Sequence, residues 1–244
     1  MSSRHDFDAM FAGIMGEEYA LLKLICPLAT EMSRLVGEEV AAYVEKRPDT
    51  QQLVELGGGT GVTTLSLLTA SDRVRILSVD NEPTMQNQAR RSLEAWVDSG
   101  RLQFCLKDAL SALQDLDADS VDIVASAYTL HNFENQYRER VIGEIYRVLK
   151  PGGLFANGDR YALDDGLAHT RLTQQEVAGY FKVLNDMQRP DLLEQWVLHL
   201  FSDESEPRIM RESVALAQLQ AAGFQQIQLK TRLDVNALIT AVKA

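Results

Sequence analysis

The chain has 244 residues, 45% hydrophobic and 24% charged, with a net charge of −11, a balance that argues against sequence-independent nucleic-acid binding carried by Lys and Arg on phosphates. That length buries enough apolar surface for one generous α/β domain without disulfide staples, so Cys26 and Cys105 read as buried thiols. Four scattered histidines and two cysteines show no metal-ligand spacing, no apolar run reaches membrane-spanning length, and Met1–Asp6 lacks a signal-peptide core.

The first fifty residues read as helices. Phe7, Met10, Phe11 and Ile14 share one apolar face, Tyr19 to Leu24 make another, and Pro27 interrupts the pattern. Met32, Leu35, Val36 and Val40 then carry a helix from Ala29 to Tyr43. From Gln51 strands and helices alternate, the signature of a parallel doubly wound sheet. Strands are expected at Gln51–Leu56, Val74–Val79, Leu102–Leu106, Val121–Ser126 and Leu154–Asn157. A helix from Arg138 to Leu149 stops at Lys150-Pro151-Gly152-Gly153. Residues 164–212 break the alternation with polar helical sequence punctuated by Pro190 and Pro207, too long for a simple connection and best explained as an inserted cap. A helix over Ser213–Ala222, closed by Gly223, precedes strands at Gln226–Lys230 and Ala237–Val242.

The first strand runs into Glu55-Leu56-Gly57-Gly58-Gly59-Thr60-Gly61, and a helix opens at Val62. Glycines suit a tight turn where backbone approaches a ligand without a Cβ between, and the helix start aims free N–H groups there. A dinucleotide-binding turn would read G-x-G-x-x-G. Here the glycines fall at 57, 59 and 61, with Val62 in the third-glycine place. Asp80 ends the second strand, where a carboxylate with about four lone-pair sites can accept from both ribose hydroxyls; capping the helix after Pro83 is its other possible duty. Asn81 follows, then Met85, whose flexible thioether suits an adenine face or plain core packing.

This pattern resembles motif I of the class I S-adenosylmethionine (SAM)-dependent methyltransferases, E/D-x-G-x-G-x-G. Asp80, Asp108, the Asp122-Ile123-Val124 strand, the Leu149-Lys150-Pro151-Gly152-Gly153 turn and the Ala221-Ala222-Gly223-Phe224 ending follow in the family's order. The resemblance implies a Rossmann-like doubly wound, seven-stranded sheet, mostly parallel with an antiparallel C-terminal strand, carrying N-terminal helices and an inserted helical cap. Its expected parts are N-terminal helices over 1–50, a SAM-binding core over 51–163, the cap over 164–212, and a terminal helix and β-hairpin over 213–244. It implies SAM as cofactor, with Tyr19, Glu55, Gly57, Gly58, Gly59, Gly61, Asp80, Asn81, Met85, Asp108, Ala109 and Ser126 around it. Asp108-Ala109 stands where the family contacts adenine, although Asp108 serves equally as an exposed helix cap.

Within the class, the helices flanking the core resemble two groups. One comprises the quinone-biosynthesis-like small-molecule methyltransferases. The other handles carboxy-SAM for tRNA modification and would need a cation in the cap for the extra carboxylate. Leu192-Leu193-Glu194-Gln195-Trp196-Val197 offers none, so plain SAM is the expected donor. A non-catalytic SAM-binding protein with this fold is a further alternative. The expected acceptor is a small molecule methylated on O or N, in a cytoplasmic monomer or homodimer with no metal. His131 is the leading candidate to take an acceptor proton, because imidazole titrates near neutrality. Asp159 stands ready to hold an amine or hydroxyl, or merely ends its strand. Tyr128, Tyr161, Tyr180, Phe181 and Trp196 are candidates to line the acceptor pocket or to pack, whereas Glu134 and His169 have no case beyond location.

Overall fold

The computed structural model describes residues 26–244. Tyr19 and the apolar faces before Cys26 lie outside the described residues. Helix α1 (Pro27–Glu45) starts on Pro27, which has no N–H to lose in a first turn, so the expected interruption is a helix start. Then follow β1 (Gln51–Leu56), α2 (Val62–Ala70), β2 (Val74–Asp80), α3 (Pro83–Ser92), α4 (Glu94–Asp98), β3 (Leu102–Leu106), α5 (Ala109–Gln114) and β4 (Val121–Ala127). A 3₁₀ turn at Leu130–Asn132 leads to α6 (Asn135–Val148), β5 (Leu149–Arg160), α7 (Gly166–Asp186), α8 (Pro190–Asp203), α9 (Glu212–Ala222), β6 (Phe224–Leu233) and β7 (Asn236–Lys243).

The seven strands lie in the order β3-β2-β1-β4-β5-β7-β6. The first five run parallel, and β7 pairs antiparallel with both β5 and β6, as the doubly wound reading expects. Chain order reverses between β1 and β4, so a crevice opens there at the carboxyl ends of the strands. One face of the sheet packs Leu53, Ile76 and Ile123 against Val36 and Val40 of α1 and Leu67 of α2. The other packs Val54, Val124 and Phe155 against Leu113 of α5, Val141 and Ile145 of α6 and Leu219 of α9. Helices α7 and α8 bring their own apolar cluster, built on Tyr180, Leu184, Leu192, Trp196 and Leu200 and reaching Ala29 of α1.

Two boundaries differ from the sequence expectation. Helix α6 ends at Val148, and β5 already begins at Leu149. Val121 pairs with Leu149 while Ile123 pairs with Leu154, so Lys150-Pro151-Gly152-Gly153 is looped out as an irregularity inside the ladder. A proline cannot donate to a ladder and is tolerated at such a bulge. Strand β6 is longer than expected, ten residues, because it bends through two register shifts against β7.

Candidate functional site

The crevice at the end of β1, β2 and β4 is lined by Gly57, Gly59, Val79, Asp80, Asn81, Glu82, Met85 and Ala109, with Tyr128, Thr129, Asn132 and Phe133 opposite. The structure thus gathers six of the expected residues on one wall. The glycine turn is required by its surroundings. Gly57 has φ +72°, and a Cβ there would sit 1.9 Å from Thr129 Oγ1. Gly61 has φ +93°, and its Cβ would meet Leu93 at 2.9 Å and Ala89 at 3.2 Å. Gly61, not the residue after it, therefore permits the close packing of turn on helix.

Asp80 ties the wall together. Its Oδ2 accepts the Gly59 N–H at 2.7 Å and its Oδ1 the Glu82 N–H at 2.8 Å. Each oxygen keeps a second lone pair, and these can accept the two hydroxyls of a ribose. Burial pushes the Asp80 carboxyl up from its ordinary range, against the pull of the two backbone N–H groups. Helix capping at Pro83 falls to Glu82, whose side chain accepts from the Thr84 N–H at 3.0 Å. Met85 is buried beneath the turn, its Cε 3.1 Å from where a Gly59 Cβ would stand.

Three expected residues sit behind the cleft and not in it. Glu55 is fully buried and accepts the Thr64 hydroxyl at 2.7 Å, so it fastens β1 to α2. Ser126, also fully buried, donates to the Leu56 carbonyl at 3.2 Å and fastens β4 to β1. Asp108 caps α5, accepting the Ser111 N–H at 2.9 Å and the Tyr137 hydroxyl at 3.1 Å. Partial burial works against its charge, but the bonds from Ser111 and Tyr137 prevail and hold its carboxyl below the usual range. Gly58 belongs to the turn through its N–H to the Val79 carbonyl.

Burial pushes Glu55 up from 4.5 to about 7. A carboxyl raised on folding contributes stability that is full below its unfolded pKa and is lost as pH climbs through the folded one. The span amounts to about 3 kcal/mol. Glu55→Gln resembles the protonated form and should remove that slope. Urea unfolding at about pH 5 and about pH 8 is expected to show near-equal stability at the lower pH and a more stable variant at the higher. Parallel pH slopes for the two proteins would count against this.

Beyond β4 and β5 stands a buried polar cluster. Asp159, fully buried, accepts the Leu130 N–H at 2.9 Å and lies 2.5 Å from His131 Nδ1. Despite burial, the His131 ring holds the Asp159 carboxyl below its usual range. In a neutral ring a carboxylate there fixes Nδ1 as the protonated nitrogen and leaves the lone pair on Nε2. That Nε2 faces the end of α8, 3.7 Å from Asp203 Oδ2, and His131 does not line the cleft beside the glycine turn. Arg138, the largest fully buried side chain, donates Nε to the Leu130 carbonyl at 2.9 Å and Nη2 to the Phe133 carbonyl at 2.7 Å. It also bonds the Arg208 carbonyl, and burial lowers its guanidinium to about 10.

Tyr128 stands between two spaces. It lines the cleft beside the glycine turn and also a cavity of about 230 Å³ bounded by Leu28, Leu172, Gln175, Glu176 and Asn236. Its φ of +52° is uncommon for a bulky residue and marks a position held by its surroundings. The hydroxyl bonds Asn236 Oδ1, and the ring meets His131 edge-on at 5.8 Å. Among the other aromatic candidates, Tyr180 and Trp196 are buried in the α7–α8 cluster, Tyr161 packs in the main core and Phe181 is half exposed. His169 pairs with Glu204 at 2.6 Å, and Glu134 stays half exposed, 3.9 Å from Arg208. Sequence reasoning missed Arg138, His199 and Asp203. His199 and Asp203 are spaced i, i+4 on one helix, a signal that periodicity alone could have raised. No helix among the described residues is long and apolar enough to cross a membrane.

Residues 53–153 match the Methyltransf_25 family, a methyltransferase domain. The carboxy-S-adenosyl-L-methionine synthase of Shewanella sp. (strain W3-18-1) is 27% identical over 177 residues, covering 72% of this chain and 69% of that protein. Among solved structures, the CurJ carbon methyltransferase superposes with TM-score 0.67 at 17% identity, covering 97% of this chain and 61% of that one. An O-methyltransferase family protein from Burkholderia thailandensis does so with TM-score 0.67 at 19% identity, covering 94% and 60%. The chain therefore spans about three-fifths of the length of those two structures, which share its fold. The matched segment runs from β1 to the bulge of β5 and holds the whole glycine–Asp80 wall, so residues 53–153 form a methyltransferase domain, and SAM is the cofactor that the match and the Shewanella relative imply.

Proposed function

We propose that this protein transfers the methyl group of SAM to an O or N atom of a small-molecule acceptor held in the cavity beyond Tyr128. The observation that carries the reading is the shared wall: Tyr128 borders both the cofactor cleft and the 230 Å³ cavity. Methyl transfer is an in-line displacement, so most of what the protein supplies is alignment of donor and acceptor across such a boundary. At about 230 Å³ the cavity is below the roughly 300–1,000 Å³ of pockets for drug-sized ligands, so it suits only a smaller acceptor, and the net charge of −11 disfavours a polyanionic one. In this reading residues 164–212 act as a cap over the core, and Tyr19, outside the described residues, is one of the cofactor contacts.

His131 and Asp159 enter as a positioning pair. They hold the 128–133 segment, four of whose side chains line the cleft, while the Nε2 lone pair is turned toward α8. His131→Ala is expected to raise KM for SAM and leave the shape of the kcat pH profile unchanged. Loss of the acidic limb of that profile would instead make His131 the base.

A second reading, carboxy-SAM chemistry, has the Shewanella relatives in its favour. A carboxylated donor needs a free cation near the methyl position. Arg160 is nearly buried and already engaged with Glu176 at 2.6 Å and Glu204 at 3.2 Å. Plain SAM is the better donor. Calorimetry with SAM and S-adenosylhomocysteine, followed by mass spectrometry of reactions with a panel of phenols and amines, tests the proposal. Binding of both nucleosides with a methylated product supports it. No binding at millimolar ligand ends it, and a copurifying carboxy-SAM, recognised by mass, would favour the second reading.

A further inference from the structure

We propose that His131, His199 and Asp203 form a binding site for one divalent transition-metal ion, zinc by its donor set, which pins α8 to the loop beside the cofactor cleft. The residues come from two distant parts of the fold: the 3₁₀ turn after β4, and two successive turns of α8 at its C-terminal end. Their ligand atoms all lie within 4.8 Å of one another. Asp203 Oδ2 is 3.4 Å from His199 Nε2 and 3.7 Å from His131 Nε2. Tetrahedral ligands about 2.0–2.1 Å from zinc stand about 3.3 Å apart, so the two Asp203 distances are within a few tenths of an ångström of that spacing, and the two imidazoles need a rotamer adjustment of at most about 1.5 Å to close on an ion.

Electron pairs converge at this point. Asp159 fixes the His131 proton on Nδ1, so Nε2 presents its lone pair to a carboxylate oxygen that lies beyond hydrogen-bond reach. Asp203 is 6% exposed, and its Oδ1 has no hydrogen-bond partner among the described residues. A buried carboxylate facing two imidazoles is costly unless a cation or proton sits among them. The nearby cation Arg160 is committed to Glu176 and Glu204. His169 is committed to Glu204 as well.

Asp159 supplies the second feature of a built metal site. A ligating histidine usually donates its other ring N–H to a carboxylate, which fixes the tautomer and raises its basicity. The Asp159–His131 pair has that geometry. A void of about 10 Å³, lined by His131, Asp203, Glu204, His169 and Met210, adjoins the cluster. It has room for one water as a fourth ligand. Two imidazoles and one carboxylate suit zinc better than magnesium or calcium, which prefer oxygen.

The proposal goes beyond methyl transfer and is tested without it. Tag-free full-length protein is purified without chelator, its metal content is measured, and the metal-stripped protein is titrated with Zn²⁺ and with Co²⁺. The expected result is one equivalent of zinc per chain and a four-coordinate Co²⁺ absorption spectrum. His199→Ala and Asp203→Asn should each weaken Zn²⁺ binding by at least about 100-fold, and Asp159→Asn by about 10- to 100-fold. Asp203→Asn keeps the side-chain size, and an unchanged thermal unfolding midpoint for its metal-free form shows that the fold persists. SAM affinity measured on the same samples reports separately on the methyltransferase reading. Absence of stoichiometric zinc at tens of micromolar metal, or binding that all three variants leave intact, overturns the proposal and leaves a proton on Nε2 as the shared cation.

Discussion

Asp80→Ala should weaken SAM binding by at least about 100-fold while leaving the protein folded. The carboxylate holds the glycine turn through Gly59 N–H and the start of the next loop through Glu82 N–H, and it keeps two lone pairs for the ribose. Hydrogen bonds to a charged acceptor are worth about 1.5–3 kcal/mol each. Losing the two to the ribose therefore removes about 3 kcal/mol or more, and every 1.4 kcal/mol is tenfold in Kd. The fold survives because the two freed N–H groups border an open cleft where water can replace the carboxylate. Asp80→Asn keeps one acceptor oxygen and should fall between wild type and Ala. Calorimetric titration with SAM and S-adenosylhomocysteine measures both variants. A change smaller than about threefold for Asp80→Ala would remove the carboxylate from the ribose contact.

The place of Asp80 beside the glycine turn was legible in the sequence because everything that defines it is local. It stands at the end of a hydrophobic strand, after a glycine turn that another strand delivers, and parallel strands place both ends on one edge. The seven-stranded sheet and its antiparallel return were legible for the same reason, since strand–helix alternation fixes the winding. Glu55 and Ser126 were not. Their strands are covered on both faces, so alternation carries no information about which side chain looks toward a ligand and which is sealed behind. Glu55 turns inward to Thr64, and its neighbour Gly57 makes the approach instead.

The cluster around His131 failed to announce itself for a different reason. Its members, at positions 131, 159, 199 and 203, come from three segments, and only the docking of α8 against the end of the sheet brings them together. Histidine spacing in the chain therefore argued against a metal cluster, while the fold assembles two imidazoles and a carboxylate. Tertiary placement decides such a site, and a helix of modest amphipathicity does not reveal where it docks.

Arg138→Met should cost about 3–5 kcal/mol of stability, the largest loss expected from one side chain here. The guanidinium is fully buried and, among the described residues, forms no ion pair with a carboxylate, although the Asp159 charge lies near it. It satisfies the carbonyls of Leu130, Phe133 and Arg208 and the Asn135 side-chain oxygen. A methionine fills much of the volume but strands these acceptors, each at about 1–3 kcal/mol when buried unpaired. For a chain of this size about 2–4 °C of unfolding midpoint corresponds to each kcal/mol, so a fall of about 10 °C is expected. Arg138→Lys keeps the charge but not the planar fork, and three donors on one nitrogen cannot reach carbonyls on opposite sides, so it should recover less than half of the loss. The same loop supplies Tyr128, Thr129, Asn132 and Phe133 to the cleft, and SAM affinity should fall with stability in both variants. Denaturant and thermal unfolding, with and without SAM, provide the measurement. An unfolding midpoint for Arg138→Met within about 2 °C of wild type would show that water reaches these carbonyls, and that the loop's shape is set elsewhere.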